Sequence, residues 1–194
     1  MDVLNIGKIL KLSSELKSYF FSDELIDLND FNTIYSYFDN LYINKNIENK
    51  IFSAIIDKFT IDDKASSTLY NIRSAKRKID QEIKNKLNNY ISSSSYSKYL
   101  QDPVVTIKND RYVIPVKEEY KNNIKGFIHD MSNSGSTVFI EPISVFDLNS
   151  KITTLTVEEN IEIEKILTNF TSMLFEILDE LENNLRLIGL LDFI

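Results

Sequence analysis

His129 is the only histidine in the chain, and Asp130, Ser132 and Ser134 stand close behind it. An imidazole, a carboxylate and a hydroxyl in one short stretch are the parts of a nucleophilic hydrolase site, where the ring takes the hydroxyl proton and the acid orients the ring. The setting argues against that use, because the strand-turn-helix elbow that lifts a nucleophilic serine is missing. A strand histidine, hydrogen-bonded or facing solvent, is the better reading. With no cysteine and one histidine, thiolate and histidine-pair metal motifs are both ruled out. Glu158 and Glu159 would fall about 100° apart on a helix, a poor geometry for shared acid-base work. None of Gly7, Gly126, Gly135 and Gly189 opens a phosphate loop of the form G-x-x-x-x-G-K-[ST]. The chain is therefore expected to bind a large partner rather than to catalyse, and to hold no cofactor or metal itself.

The elements that would position such residues are mostly helices. The sequence contains only 4 Gly and 3 Pro in 194 residues, too few for a fold of many tight turns. Leu4, Ile9, Leu12, Leu16 and Phe20 recur at near-helical spacing, with a break and N-cap expected at Ser22-Asp23-Glu24. A second stripe runs through Leu41, Ile43, Ile47, Ile51, Ile55 and Phe59. Residues 65–92 read as a long helix with Leu69, Ile72, Ile79, Ile83, Leu87 and Ile91 on one face. Lys76, Arg77, Lys78, Lys84 and Lys86 cover much of its solvated remainder. From about Ile143 the helical period returns through Val145, Leu148, Ile152 and Leu155, then Ile166, Phe170, Leu174, Ile177, Leu181, Leu185 and Ile188. One helix of roughly 50 residues there would reach about 75 Å, the length of a lever or coiled-coil arm.

Between these helices the period changes to two. Val104 to Ile107 and Arg111 to Val116 read as strands joined at Asn109-Asp110, a pair that tolerates positive φ. Ile124 to Met131 and Ser136 to Ile140 read as a second hairpin around Asn133-Ser134-Gly135. All three prolines (Pro103, Pro115 and Pro142) fall in this stretch, so the punctuation marks an insert. Pro142 is expected at or near a first helical position after a strand-to-helix junction at Glu141. The expected fold is mainly α, a long-helix core and lever bundle with a small antiparallel β insert. Its expected parts are a helical core and ascending lever (1–100), a clamp-like insert (101–141) and a descending long helix (142–194).

Composition adds bounds. A hydrophobic content of 43% fits an ordinary folded protein. Lys8, Lys11, Glu15 and Lys17 rule out a signal peptide at the start, and no run of 18 uncharged apolar residues appears. No membrane association and a cytoplasmic location are expected. The net charge of −7 argues against a general polyanion glue, yet the cations concentrate between residues 61 and 100 and the acids beyond residue 142. The sequence stops at Leu190-Leu191-Asp192-Phe193-Ile194 without a C-cap, which suggests a longer protein.

Two runs then resemble a bacterial family. Arg111-Tyr112-Val113-Ile114-Pro115-Val116-Lys117 matches R-x-V-x-P-V-K. Gly126 to Pro142 matches G-x-x-H-D-x-S-x-S-G-x-T-x-F-x-E-P through His129, Asp130, Ser132, Ser134, Gly135, Thr137, Phe139, Glu141 and Pro142. Upstream, Ile61, Asp63, Ala65, Ser66, Leu69, Ile72 and Arg73 are similar to I-x-D-x-A-S-x-x-L-x-x-I-R. Leu148-Asn149 and Glu158-Glu159 continue the likeness, while Asn133 and Ser136 depart from it mildly. The pattern is that of the MutS-two family, the MutS paralogue without the mismatch-reading N-terminal domain, and it covers most of the chain. The resemblance implies a helical core and lever with a clamp-like insert, in a homodimer whose ATPase domain, using ATP and Mg, and possible nuclease domain lie beyond Ile194. It implies binding to branched or distorted DNA and suppression of recombination, with rescue of collided ribosomes through ribosomal RNA as the alternative. A purely structural dimerisation arm is a third reading.

A clamp tip need only touch phosphates, which positions a nucleic acid without reading its sequence. Lys108, Arg111, Lys117, Lys121 and Lys125, aided by Ser132, Ser134 and the Gly135 amide, are the residues expected to do so. Ser134 to Thr137 reads equally well as a plain hairpin turn.

Overall fold

The computed structural model describes residues 3–22 and 32–193. Its elements begin with helices α1 (Val3–Ser22), α2 (Asn32–Asp39) and α3 (Lys45–Ala54), the hairpin β1 (Ile55–Asp57) and β2 (Thr60–Ile61), and α4 (Ser67–Ile91). There follow the short α5 (Ser94–Ser97), strands β3 (Thr106–Lys108), β4 (Arg111–Lys117), β5 (Gly126–Met131) and β6 (Thr137–Pro142), then α6 (Ile143–Phe175) and α7 (Leu178–Leu191). The chain is mainly α with a small antiparallel sheet, in keeping with its scarcity of glycine and proline. It divides into two compact units, Met1–Tyr70 with Glu162–Ile194, and Asn71–Ile161. Those boundaries fall inside α4 and α6, so neither unit coincides with one of the segments 1–100, 101–141 and 142–194.

In the first unit Ile6 and Leu10 pack with Ile47, Ile51, Ile166, Phe170, Leu174 and Leu181. A Cβ on Gly7 would lie 2.8 Å from Ile51 Cγ2, so glycine is what lets α1 approach α3. The buried face of α1 is Ile6, Gly7, Leu10, Ser13 and Ser14, not the stripe through Leu12, which is 41% exposed. Ser13 can be buried because Asn184 Nδ2 donates to its Oγ (2.9 Å) while the hydroxyl donates to Ile9 O (2.9 Å). Ser22 ends α1; Asp23 and Glu24 of the expected cap lie outside the described residues.

The second expected stripe is cut short. Asn44 caps α3, accepting from Ile47 N at 3.0 Å, but the helix stops at Ala54 and the β-branched pair Ile55-Ile56 turns into a hairpin. Asp57 Oδ1 accepts from Phe59 N (2.8 Å) and fixes that turn, leaving Phe59 89% exposed instead of in a helical core. The expected 50-residue helix is likewise two helices. Ile177 leaves helical geometry (φ −117, ψ 24) with its N–H on Leu174 O at 3.3 Å, and its side chain turns into the same core as Leu174 and Leu181. No proline or glycine stands at this break; packing sets it.

The second unit holds the four-stranded sheet, in the order β3-β4-β6-β5, every pair antiparallel. Asn109 (φ 51) and Asp110 (φ 59) form the two-residue β3–β4 turn, as their residue types predict. Ile114, Val116, Val138 and Ile140 turn one way and pack on Ile83 and Leu87 of α4 and Val145 of α6, with Leu100 and Ile124 closing the edges. The sheet is therefore not a free-standing tip. It shares one core with the helices that flank it in sequence. Pro142 closes β6 and α6 starts one residue later, at Ile143. Strands β5 and β6 touch at Gly126, where an added Cβ would stand 2.2 Å from the Glu141 carbonyl oxygen.

Opposite effects are expected at two positions. Gly126→Ala should destabilise the second unit by about 1–3 kcal/mol or more, since backbone must move. Asp110→Gly should stabilise it by roughly 1 kcal/mol by relieving left-handed backbone. Urea unfolding of both variants measures the two signs.

Candidate nucleic-acid interface

The charged centre of the second unit is Glu141, whose side chain is wholly buried. Arg111 grips it with two bonds, Nε to Oε2 and Nη2 to Oε1, both 2.8 Å. Asn149 Nδ2 donates to Oε1 at 2.6 Å and His129 Nε2 to Oε2 at 2.5 Å. The register of β5 against β6 slips between Ile128 and Asp130, and that bulge carries His129. Asn109 Nδ2 in the β3–β4 turn takes up His129 O at 2.9 Å. Arg111 Nη2 continues to Phe146 O (3.2 Å) and Ser150 Oγ (3.1 Å) on α6. Burial pushes the Glu141 carboxyl up, but the bonds from Arg111, Asn149 and His129 and the guanidinium charge outweigh it and hold the group below its ordinary 4.5.

The expected phosphate-contacting residues separate into groups. Arg111 is committed to Glu141 and only 18% exposed, so its role is to join sheet and helix. Lys108 Nζ lies 2.9 Å from Asp130 and 4.4 Å from the Phe139 ring centre, a clasp across the sheet. Lys117 caps the start of a 3-10 turn, Glu118–Asn123, and Lys121 lies within it. Lys117 Nζ donates to the Lys98 carbonyl (3.4 Å), and Lys121 pairs with Glu118 at 2.5 Å. Lys125 is exposed, and its carbonyl accepts from Ile143 N at 3.1 Å.

Ser132, Ser134 and Gly135 share the β5–β6 turn. Ser132 Oγ accepts from Thr137 N (3.1 Å), and Ser134 Oγ lies 2.8 Å from Ser136 Oγ. The Gly135 amide (φ 72) donates to Ser132 O at 2.8 Å, so it is engaged inside the turn. Glu118 N donates to Ser136 O at 3.0 Å, which ties the lysine-bearing 3-10 turn to the serine turn. Lys117, Lys121 and the serines are thus brought together at one end of the sheet. Arg111 lies six residues back along β4, about 20 Å away. The carboxylate centre itself was missed as such. Its sequence signal is the buried-strand context of Glu141 after Val138 and Ile140, facing an arginine on the neighbouring strand.

These features define a class: a helical scaffold segment whose small sheet is locked by a buried arginine–carboxylate centre and carries lysines on one turn. The chain is 44% identical over 198 residues to the Endonuclease MutS2 of Acetivibrio thermocellus, a match covering 99% of the chain and 25% of that protein. It is 39% identical over 192 residues to the Endonuclease MutS2 of Clostridioides difficile (99% and 24%), and 44% over 156 residues to that of Alkaliphilus oremlandii (80% and 20%). The chain is a segment of the MutS2 family. It spans about a quarter of the length of the curated relatives it matches. No family model matches it. Among the described residues, no helix is long and apolar enough to cross a membrane.

Glu141→Gln removes the charge that compensates Arg111 and should cost roughly 3 kcal/mol at neutral pH. Because Glu141 is held below 4.5, its contribution is present above that pH and is lost as pH falls through its lowered value. Stability measured against pH should therefore fall less steeply below pH 4.5 in the variant than in the parent. Equal acid limbs would refute this role for the carboxylate.

Proposed function

We propose that this chain is a non-catalytic, nucleic-acid-contacting segment of a longer DNA-binding ATPase. In this reading it engages branched or distorted DNA through backbone contacts and so contributes to suppressing recombination. The observation that carries the reading is the gathering of Lys117, Lys121 and the serine turn at one end of a rigid sheet, in a chain matched end to end by proteins named Endonuclease MutS2. The Lys121–Glu118 pair is partly solvent-exposed, worth about 0–1 kcal/mol, and a phosphate can displace it. Lys117, Lys121 and Lys125 take the phosphate contacts in this proposal, Lys108 and the serine hydroxyls assist, and Arg111 holds the sheet.

ATP, magnesium and the nuclease chemistry belong to the rest of a longer protein, which acts as a cytoplasmic homodimer. The residues present do not fit the nucleotide or the metal. No phosphate loop occurs in the sequence, and among the described residues no group of three or more His, Asp or Glu could hold a metal ion. The helices supply stiffness: α4 has 25 residues and α6 has 33, or about 38 and 50 Å at 1.5 Å per residue.

Binding of the chain to a three-way DNA junction, followed by anisotropy, should be weak and should fall steeply between about 50 and 200 mM salt. Lys117→Gln, Lys121→Gln and Lys125→Gln should each lower the log–log salt slope by roughly 0.9. Binding that is equal at the two salt concentrations would remove the phosphate-contact reading.

A further inference from the structure

Four tyrosines of the second unit form one row. Their ring centres are 4.9 Å apart for Tyr90 and Tyr96, 6.3 Å for Tyr96 and Tyr99, and 5.2 Å for Tyr99 and Tyr120. All four rest on the core built around Ile83, Leu87 and Val116, and all are only half-buried, so part of each side chain reaches solvent. Its backbone is fixed as well. Lys117 N donates to Tyr99 O at 2.9 Å, Gln101 N to Pro115 O at 3.0 Å, and Leu100 bridges to Val116.

Two further observations point outward. The phenol oxygen of Tyr90 lies 3.2 Å from Ser144 Oγ, but those of Tyr96, Tyr99 and Tyr120 form no hydrogen bond among the described residues. Lys98 Nζ stands 5.0 Å from the Tyr99 ring centre, and Lys117 Nζ lies 3.4 Å from the Lys98 carbonyl. Among the described residues neither ammonium is paired with a carboxylate, while Lys121 beside Tyr120 is paired with Glu118. Asp102 and Glu119 are the remaining acids on these segments, and both are exposed. Packing alone would be served by side chains without a polar end. Half-exposed rings interleaved with ammonium groups are what an unpaired nucleic-acid strand requires: stacking for its bases and cations for its phosphates. A proline-rich peptide also stacks on tyrosines, but it has no use for Lys98 and Lys117.

We propose that Tyr90, Tyr96, Tyr99 and Tyr120, with Lys98 and Lys117, form a stacking platform for single-stranded nucleic acid. This rests on the nucleic-acid reading above and narrows it to unpaired bases, the part of a branched structure that a duplex-phosphate contact cannot hold.

The test uses the 194-residue chain and a labelled oligothymidylate of about 12 nucleotides, alongside an abasic strand of equal length and the three-way junction. The oligothymidylate should bind, and the abasic strand should bind about tenfold more weakly. Tyr96→Leu and Tyr99→Leu should each weaken oligothymidylate binding about tenfold without changing its salt slope, whereas Tyr96→Phe keeps the ring and the affinity. Lys98→Gln should lower the salt slope by roughly 0.7. Equal affinity for the abasic strand overturns the platform and needs no variant to fold. Junction binding without oligothymidylate binding, or preference for a proline-rich peptide, overturns this inference alone. Failure of junction and single strand alike overturns the nucleic-acid reading beneath it.

Discussion

A carboxylate sealed away from water must have donors for its lone pairs, and in the second unit three segments converge on β6 to supply them to Glu141. Arg111 comes from the start of β4, His129 from the bulge in β5 and Asn149 from α6, while Glu141 itself sits at the end of β6. Removing Arg111 or Glu141 would leave the other charge uncompensated, which costs more than the pair contributes on its own. The sheet thus has one permitted seating on its helix. Apolar packing of Ile114, Val116, Val138 and Ile140 against Ile83 and Leu87 brings the layers together, but such contacts tolerate sliding; the carboxylate centre sets the register.

Each unit also uses an asparagine on a helix as a backbone receptor. Asn149 accepts from Tyr112 N and donates to Tyr112 O, both at 3.0 Å. Asn184 does the same to Tyr42, accepting from its N–H at 2.8 Å and donating to its carbonyl at 2.9 Å. In both cases the amide imitates a neighbouring strand for one residue, so an extended segment can lie on a helix without orphaned donors. Tyr112 is held at its other end too, where its phenol donates to Asp80 on α4, and burial and that bond push the phenol up to about 12. A single strand residue therefore meets both long helices of its unit.

How much of this was legible in the sequence depended on range. The hairpin at Asn109-Asp110, the glycine turn at Gly135 and the α4 stripe through Ile83 and Leu87 are local matters of backbone preference and period, and they stood as expected. The failures are tertiary. Nothing local distinguishes Ser13 as buried, because its partner Asn184 lies far along the chain. Nothing local stops α3 at Ala54 or breaks the helix at Ile177, where side chains turn into a core assembled from distant segments. The family likeness covered the carboxylate motif without revealing that Glu141 and Arg111 meet.

The two kinds of cation in the second unit show how binding and folding chemistry divide. A guanidinium is planar, permanently charged and matched to a carboxylate through two bonds, and both Arg111 with Glu141 and Arg73 with Glu159 use arginine to join elements inside the unit. An ammonium on a flexible stem fixes no geometry, so lysine suits contacts that must tolerate any phosphate position. Among the described residues Lys98, Lys117 and Lys125 make no carboxylate pair, and all three lie on or beside turns that the sheet holds in place. Reading every cation as a ligand contact confuses these roles. The useful discriminator is whether a buried carboxylate faces the cation across a strand pair, since that acid cannot remain charged unless the cation stays.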